Sequence, residues 1–553
     1  MVLGAIAAIV LLFLARSMTF WQDEWGSIGF NGGPLDYIRP VNEHWSTIPL
    51  LLYRSTFAVF GLHSYLPYIA EVIVLHLLAV AAAYLLIRRR AGWIVATLAC
   101  IPLLFLGSGS ENLFWAFQTG FVGSVAFGLW GLVALERSGR ASALGAAILL
   151  LLSLMSSGMG IFFLVAAFGR TLLDPALRWR VAAVIPPAIS YAVWYLTVGG
   201  ESVGGGAGFA GPSAVANFVV RGIGHAVGGV SGLSFVPRGD LLAIAVFGAA
   251  VVATGWAVVR ARRPPALAAG SLLAVGAMYT FIGLVRADLP SDFATRSRYV
   301  YVAAFFLVLA VADWLPVLRE WTTGRPRARL GVEAGLSLAL IAAIVANLAA
   351  FGPIRARFQA NADLTRAYIE LALVHRDADW IDPASPLPGM PPLPELIATV
   401  ERSGSPLRDD LVPGVVKDPG ERARERALFL MIGTGFHGQP GVGAGTESPV
   451  DIVGSNDATV APAGACAIVT ATGRDPQVDL TVPSASRVRI VPTSDAPAKA
   501  LLLGLMTIST PIELSLAAGQ PTDVVIPDIG DGAIWTVRLE IPDAAGPVRI
   551  CRL

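Results

Sequence analysis

The sequence predicts a multi-pass α-helical membrane protein of about eleven transmembrane helices, followed by a C-terminal extracytoplasmic, mostly-β sandwich. Three observations predict it. The 553 residues are 55% hydrophobic and only 14% charged, with a mean hydropathy of +0.66, whereas soluble domains run at about 25% charged. Apolar runs of membrane-spanning length recur up to Phe351, and arginines cluster after every second run. From about Val450 onward the pattern turns to short alternating segments broken by Gly, Pro and Asp.

A helix needs about 20 apolar residues to cross the hydrocarbon core, and arginine-rich loops stay in the cytoplasm. Spans are expected near residues 2–18, 66–87, 92–106, 114–135, 141–156, 158–173, 181–198, 241–259, 266–285, 299–318 and 331–351. Arginines at 88–90, 137 and 140, 170–180, 260–263 and 319–329 then fall on one side, with Arg16 as the exception. This puts the N-terminus in and the C-terminus out. The run Val2–Leu14 lacks a basic n-region and a small-x-small cleavage site, so it reads as a retained span. Ser46 to Phe60, with Pro49 and Arg54, and the Gly-rich Ala214 to Val236 read as helices along the outer interface, because a full crossing by either would move the later arginines to the wrong side.

Residues 1–351 are thus expected to form the transmembrane domain and 352–445 an outer connecting region. The latter opens with a charged helix over Ile354 to Ala378 and continues into the proline-rich Ile381 to Pro394. Residues 446–553 alternate as in an antiparallel sandwich, for example QVDLTV, RVRIV and IWTVRLEI. Cys466 and Cys551 lie in an early and the last of these segments; on the oxidising side of a membrane they are expected to pair, stapling the ends of the sandwich. Cys100 sits in an apolar run and reads as an inert thiol.

Net charge +1 argues against a nucleic-acid partner, and the chain has two lysines, Lys417 and Lys499, in an Ala- and Gly-rich background typical of a bacterial gene of high GC content. Walker, HExxH and GxSxG motifs and Cys-pair metal spacings do not occur.

The outer loops hold the chemistry. The first, Phe20 to Trp45, carries Asp23, Glu24, Asp36, Arg39, Glu43 and His44 among six aromatic residues. Asp23 and Glu24 follow the first span between Phe20, Trp21 and Trp25, which would hold the loop in the interfacial zone. A partly desolvated carboxylate there gains basicity and can take a proton from a hydroxyl. The alternative is that the pair caps the following helix. Glu43 and His44 precede the first interface helix; Glu43 can cap it, and a histidine beside acids can bind phosphate, shuttle a proton or ligate a metal. The second outer loop supplies Glu111, Asn112 and Gln118. The fourth supplies Glu201, Arg221 and His225, and the fifth Arg286, Asp288, Asp292, Arg296, Arg298 and Tyr299. Three outward arginines run against the positive-inside statistics. They suit bidentate phosphate binding, or else pair with Asp288 and Asp292. Within the spans, Glu71 and Asp313 are site candidates by position, whereas His76 reads as a satisfied buried histidine. A nucleotide donor on the outer face is disfavoured, since no cytoplasmic loop is long enough to hold a nucleotide-binding domain; the donor is expected to be lipid-anchored.

A first span, an outward loop opening with Asp23-Glu24, an interface helix and many further spans resemble the GT-C superfamily of membrane glycosyltransferases. Arg296-Ser297-Arg298-Tyr299, at an outer loop–span junction, is similar to the late basic motif that the superfamily places at the lipid phosphate. Asn42-Glu43-His44 and Glu111 to Gln118 resemble bacterial members, and the appended outer sandwich resembles that of actinobacterial arabinofuranosyltransferases. The resemblance covers residues 1–351 and lies in topology more than in letters. It implies a polyprenyl-phosphate-linked sugar as donor, a hydroxyl of a cell-envelope glycan, lipid or protein as acceptor, and a first-loop acid, Asp23 or Glu24, as catalytic base. Some members require a divalent metal and others do not, so the metal requirement stays open. A transporter or flippase would instead place its charges at the membrane midplane in two matching halves; a polymerase or ligase of lipid-linked glycans would need the same outer face and phosphate clamp.

Overall fold

The computed structural model describes residues 2–553 apart from 31, 201–209, 261–263, 289–290, 379–380, 382–386, 388, 413, 415–417, 433–434, 443–444, 474, 505–507 and 530–533. Glu201, the side chain of Asp292 and most of the proline-rich stretch before Pro391 lie outside the described residues. The chain divides into two compact units: residues 1–18 with 30–359, and residues 19–29 with 360–553.

The first unit is helical. Among the described residues, seven helices are long and apolar enough to cross a membrane: Leu66–Ala91, Ala116–Leu135, Arg178–Gly199, Gly239–Arg260, Ala266–Arg286, Ser297–Thr322 and Pro326–Val374. The other four expected spans are helical but short. Val2–Ala15 (α1), Trp93–Leu104 (α5), Arg140–Ser156 (α8) and Gly160–Leu173 (α9) have 14, 12, 17 and 14 residues, or about 18–26 Å at 1.5 Å per residue, against a core of about 30 Å. In the remaining numbering, α2 is Glu24–Ile28, α3 Thr47–Phe60, α4 Leu66–Ala91, α6 Glu111–Phe114, α7 Thr119–Leu135 and α10 Ile185–Trp194. They are followed by α11 Pro212–Ser231, α12 Gly239–Arg260, α13 Ala266–Arg286, α14 Ser297–Thr322 and α15 Pro326–Val374. The two segments expected at the interface are the helices α3 and α11. The break expected after Phe351 is absent: α15 runs unbroken through Pro353 for 49 residues, because apolar spacing carries its helical pattern past the last span.

Polar side chains fasten this bundle from within. Asn347, fully buried on α15, accepts from the Ser108 N–H and Oγ (3.1 and 2.8 Å) and donates to the carbonyls of Ala343, Gly229 and Val230 (2.9, 3.4 and 3.3 Å). His76 is also fully buried, with its ring nitrogens 3.0 Å from the Tyr301 hydroxyl and 3.3 Å from the Leu104 carbonyl, as expected of a satisfied core histidine. Asp313 accepts from Arg90 at 2.6 Å and from the N–H groups of Leu267 and Ala268, both at 3.0 Å, so it ties α4 to the start of α13. Glu71 pairs with the Thr56 hydroxyl of α3.

The second unit is built on two antiparallel sheets. Its strands are β3 His437–Pro440, β4 Asp451–Asn456, β5 Ala458–Ala463, β6 Cys466–Ala471, β7 Gln477–Pro483, β8 Arg487–Pro492, β9 Ala496–Leu503, β10 Ile512–Leu516, β11 Thr522–Val525, β12 Ile534–Glu540 and β13 Val548–Arg552; β1 and β2 form a hairpin in the first unit, described below. One sheet has the order β10-β9-β12-β7-β4 and the other β3-β11-β8-β13-β6-β5. Alternate residues such as Val478, Leu480 and Val482 on β7 and Val488 and Ile490 on β8 are buried, the period-2 pattern of a half-buried strand. β3 and β5 were not foreseen: HGQP has no apolar alternation, and ATVAPA carries a proline suited only to an edge strand, which β5 is. Bidentate pairs cross the sheets in register, Arg538 on Asp479 (2.8 and 2.9 Å) and Arg489 on Asp523 (2.7 and 2.8 Å). Cys466 and Cys551 are disulfide-bonded. The bond does not staple opposite ends of a sandwich; it joins β6 and β13, neighbours in one sheet. Two α-helices, α16 Leu393–Ser403 and α17 Glu421–Ile432, precede the strands.

Candidate active site

The hairpin of β1 (Pro40–Val41) and β2 (His44–Trp45) pairs Pro40 with Trp45 and Val41 with His44. Its two-residue loop is Asn42-Glu43, with φ of 47° and 69°, the mark of a type I′ turn. Glycine is the usual second residue there, and a glutamate in the left-handed region costs about 1 kcal/mol or more. The Glu43 side chain is held by Arg286 at 3.2 Å. Capping of α3 is therefore not its role: the N-cap of that helix is Ser46, without a side-chain capping bond. Aromatic packing fixes the hairpin. Trp45 stacks on Trp194 (centroids 5.2 Å, planes 4° apart) and donates to Thr47 Oγ1 at 2.9 Å, while Trp194 donates to the Ile38 carbonyl at 2.7 Å.

His44 meets two other turns. Its ring lies edge-on to Phe121 at 5.8 Å, and a Cβ on Gly158 would stand 3.0 Å from its Nδ1, so a larger residue there would crowd the imidazole. Burial first, then the positive charges of Arg286 and Arg298, lower its pKa to about 4. The imidazole is neutral at pH 7.

Both arginines flank the loop between α13 and α14. Arg286, at the end of α13, bridges Glu43 and the Tyr299 hydroxyl (3.4 Å). Arg298, in the first turn of α14, reaches buried Glu111 at 3.6 Å and lies over the Tyr299 ring at 5.4 Å. The backbone around Arg298 is sewn to the second outer loop. Asn112 Nδ2 donates to the Arg298 carbonyl (3.1 Å), Ser297 Oγ donates to the Ser108 carbonyl (2.8 Å), and the Glu111 N–H donates to Ser297 Oγ (3.3 Å). Thus Glu43, His44, Glu111, Asn112, Arg286, Arg298 and Tyr299 form one cluster. Among the described residues, the carboxylate partners of Arg286 and Arg298 come from distant loops. Gln118 is buried on the turn before Phe121. The Gln118 Oε1, Asn112 Oδ1 and Arg298 Nε atoms are buried and have no hydrogen-bond partner among the described residues.

Other candidates lie elsewhere. Arg296 stacks on Phe293 at 4.9 Å. Arg221 is exposed on α11, and His225 of that helix has its pKa lowered by burial, an effect opposed by Asp240. Asp23 and Glu24 belong to the second unit. There Glu24 is fully buried and its carboxylate accepts the Trp21 N–H at 2.8 Å. Asp23, at the N-cap position of α2, is partly exposed and makes no side-chain capping bond. Gly389, at φ 79°, packs so closely that a Cβ would lie 2.5 Å from the Gln22 carbonyl carbon and 2.9 Å from the Asp23 nitrogen. Asn347 and Gly158 also position the cluster and were not singled out as site residues in the sequence; a lone asparagine in an otherwise apolar span was the available signal for the first. Among the described residues, the one group of three metal-capable side chains is Glu447 with Cys466 and Cys551, and the two sulfurs there are bonded to each other.

The fold is that of a multi-pass α-helical membrane protein with a C-terminal β domain. No protein-family model matches the chain, and no curated protein matches it in sequence. Solved structures similar to it include ArnT from Cupriavidus metallidurans in the apo state, at 14% identity over 73% of this chain and 88% of that one, with a TM-score of 0.41. The same enzyme bound to undecaprenyl phosphate is similar at 15% identity over 74% and 85%, with a TM-score of 0.43. An Archaeoglobus fulgidus oligosaccharyltransferase in complex with Zn and sulfate is similar at 16% identity over 68% and 55%, with a TM-score of 0.39. Identities and scores this low leave the functional reading to the chemistry of the site.

Proposed function

We propose that this chain is a GT-C glycosyltransferase that moves a sugar from a polyprenyl-phosphate carrier to a hydroxyl of a cell-envelope glycan, lipid or protein on the outer face of a bacterial plasma membrane. The observation that carries the reading is the pair Arg286 and Arg298, set around Tyr299 beside a neutral His44 at the end of the helices opposite the arginine-rich one. Two guanidinium groups, one over the Tyr299 ring and one at its hydroxyl, offer forked donors to a phosphate. An imidazole that stays neutral beside them can accept a hydrogen bond from a sugar hydroxyl, as can the unsatisfied oxygens of Gln118 and Asn112.

The reaction follows with inversion. The acceptor oxygen attacks the anomeric carbon as Asp23 takes its proton. The bond from that carbon to the phosphate oxygen breaks, and its electron pair stays on the phosphate, whose charge Arg286 and Arg298 neutralise. Asp23 is the base of the acidic pair because the Glu24 carboxylate is buried and engaged with backbone, whereas Asp23 keeps partial access to solvent. Undecaprenyl phosphate, named in the ArnT structure, is the class of carrier intended. No step is assigned to a metal.

The test is transfer from a synthetic polyprenyl-phosphate sugar by the purified full-length protein. Asp23→Asn should abolish transfer while leaving prenyl-phosphate binding intact. Full activity in that variant removes Asp23 from the mechanism; unchanged prenyl-phosphate affinity in Arg286→Gln and Arg298→Gln removes the clamp.

A further inference from the structure

The arginine-bearing end of the helical bundle holds a feature that the transfer reaction does not use. Glu136, just after α7, receives Arg89 at 2.6 Å, Arg90 at 2.9 Å and Arg170 at 2.5 Å, and Asp313 receives Arg90 at 2.6 Å. Three guanidinium groups thus face two carboxylates, and this end keeps an excess of positive charge. Arg180 adds to it. It is 5% exposed, donates to the carbonyl of Leu135 next to Glu136, and has an Nε without a hydrogen-bond partner among the described residues.

Arg180 and the exposed Arg140 line an open groove of about 280 Å³ between α8 and the turn leading into α10. The rest of its wall is apolar, with Leu144, Ala147 and Pro186 along it and Trp179 at its rim. Leu144 is 63% and Trp179 53% exposed, which in a membrane protein means facing lipid. Trp179 in turn stacks under the Arg180 guanidinium at 4.8 Å, an arrangement suited to headgroup depth.

The two halves of the groove ask for different things. Its trough would lie empty against a soluble anion, and a hydrocarbon alone would leave the buried Arg180 Nε unmatched. An occupant with a chain and an acidic head satisfies both. We propose that this groove binds one anionic phospholipid, with an acyl chain along α8 and the phosphate between Arg140 and Arg180. The lipid would offset the excess charge of the network and pin the turn Arg178–Ala183 to the ends of α7 and α8. This site is separate from the cluster around Arg298. Arg298 stands in the first turn of α14, and Asp313 stands far along the same helix, toward Arg319 of its last turn.

The test titrates dioleoyl phosphatidylglycerol into the full-length protein in neutral detergent, with dioleoyl phosphatidylcholine and inorganic phosphate as comparisons. Phosphatidylglycerol should raise the unfolding temperature saturably, and one copy should stay bound in native mass spectrometry; the other two should do neither. Arg140→Gln should weaken binding roughly fivefold, the loss of one interfacial charge. Ala147→Phe should weaken it by filling the trough with both arginines in place. If Ala147→Phe lowers the lipid-free unfolding temperature, Leu144→Ser at an exposed position takes its part. Phosphatidylcholine matching phosphatidylglycerol, inorganic phosphate reproducing the effect, or unchanged binding in either variant overturns the proposal.

Discussion

Arg298 sits where two roles meet, and a pair of substitutions separates them. As a structural residue it neutralises Glu111, whose carboxylate side chain is only 6% exposed, at 3.6 Å. At an effective dielectric near 20 that attraction is about 5 kcal/mol, and removing one partner of a buried pair typically costs about 3–5 kcal/mol, because the remaining charge is left uncompensated. Arg298 itself is 20% exposed and partly served by water, which puts Arg298→Gln near the lower end, about 3 kcal/mol. Glu111→Gln should cost less, about 1 kcal/mol, since the freed guanidinium can turn to solvent. The double variant Glu111→Gln/Arg298→Gln should recover most of the loss, because two amides of similar size need no counter-charge. Thermal unfolding in detergent gives the stability cycle, and transfer from a prenyl-phosphate sugar gives activity. The expected pattern is restored stability with transfer still reduced, because on the proposed reading the phosphate has lost one of its two forks. A double variant as unstable as Arg298→Gln would refute the ion-pair argument; a stable double variant with full transfer would refute the phosphate argument.

Further outcomes follow from other parts of the chain. His44, with a folded pKa lowered to about 4, binds no proton where the unfolded chain, near 6.5, would. Stability is therefore complete above about pH 6.5 and lost as pH falls toward 4, by at most about 3 kcal/mol; unfolding temperatures of the wild type and His44→Gln should converge across that window. Gly107→Ala puts a Cβ 1.8 Å from the Asn347 carbonyl oxygen, and overpacking against backbone should cost about 2 kcal/mol or more, read as a lower unfolding temperature. Reducing the Cys466–Cys551 disulfide, whose sequence separation is 85, frees a loop worth about 4.6 kcal/mol of chain entropy. The β unit should then melt earlier under reducing agent, an effect that vanishes in Cys466→Ala/Cys551→Ala.

The helices and their arginine-marked ends were legible because membrane insertion imposes long apolar runs and a charge bias that survive in any one sequence. The same bias made the outward arginines visible as exceptions, and two of them, Arg286 and Arg298, do meet the Glu43–His44 hairpin and the Glu111 loop. Their partners were not legible. Glu43 looked like a helix cap from its place before Ser46, and only the type I′ turn shows it aimed at a residue 243 positions away. The partners of Asn347 were hidden for a related reason, since a single polar residue in an apolar run stands out yet gives no hint of which carbonyls it will satisfy. Proline in a pattern suggests a break, yet α15 continues through Pro353. The edge strands β3 and β5 lack the alternation that buried strands need and so left little periodicity to read.

The loop that carries Asp23 is sorted with chain that begins at residue 360, and Gly389 packs on its backbone. That has a consequence in time. The loop leaves the ribosome some 370 residues ahead of its packing partner, on the order of 20–75 s at about 5–20 residues per second. Throughout that interval the acidic pair waits without the surface that shapes it. A chain arrested before residue 360 would hold both arginines and their partners, yet an acidic pair still without the segment it packs on.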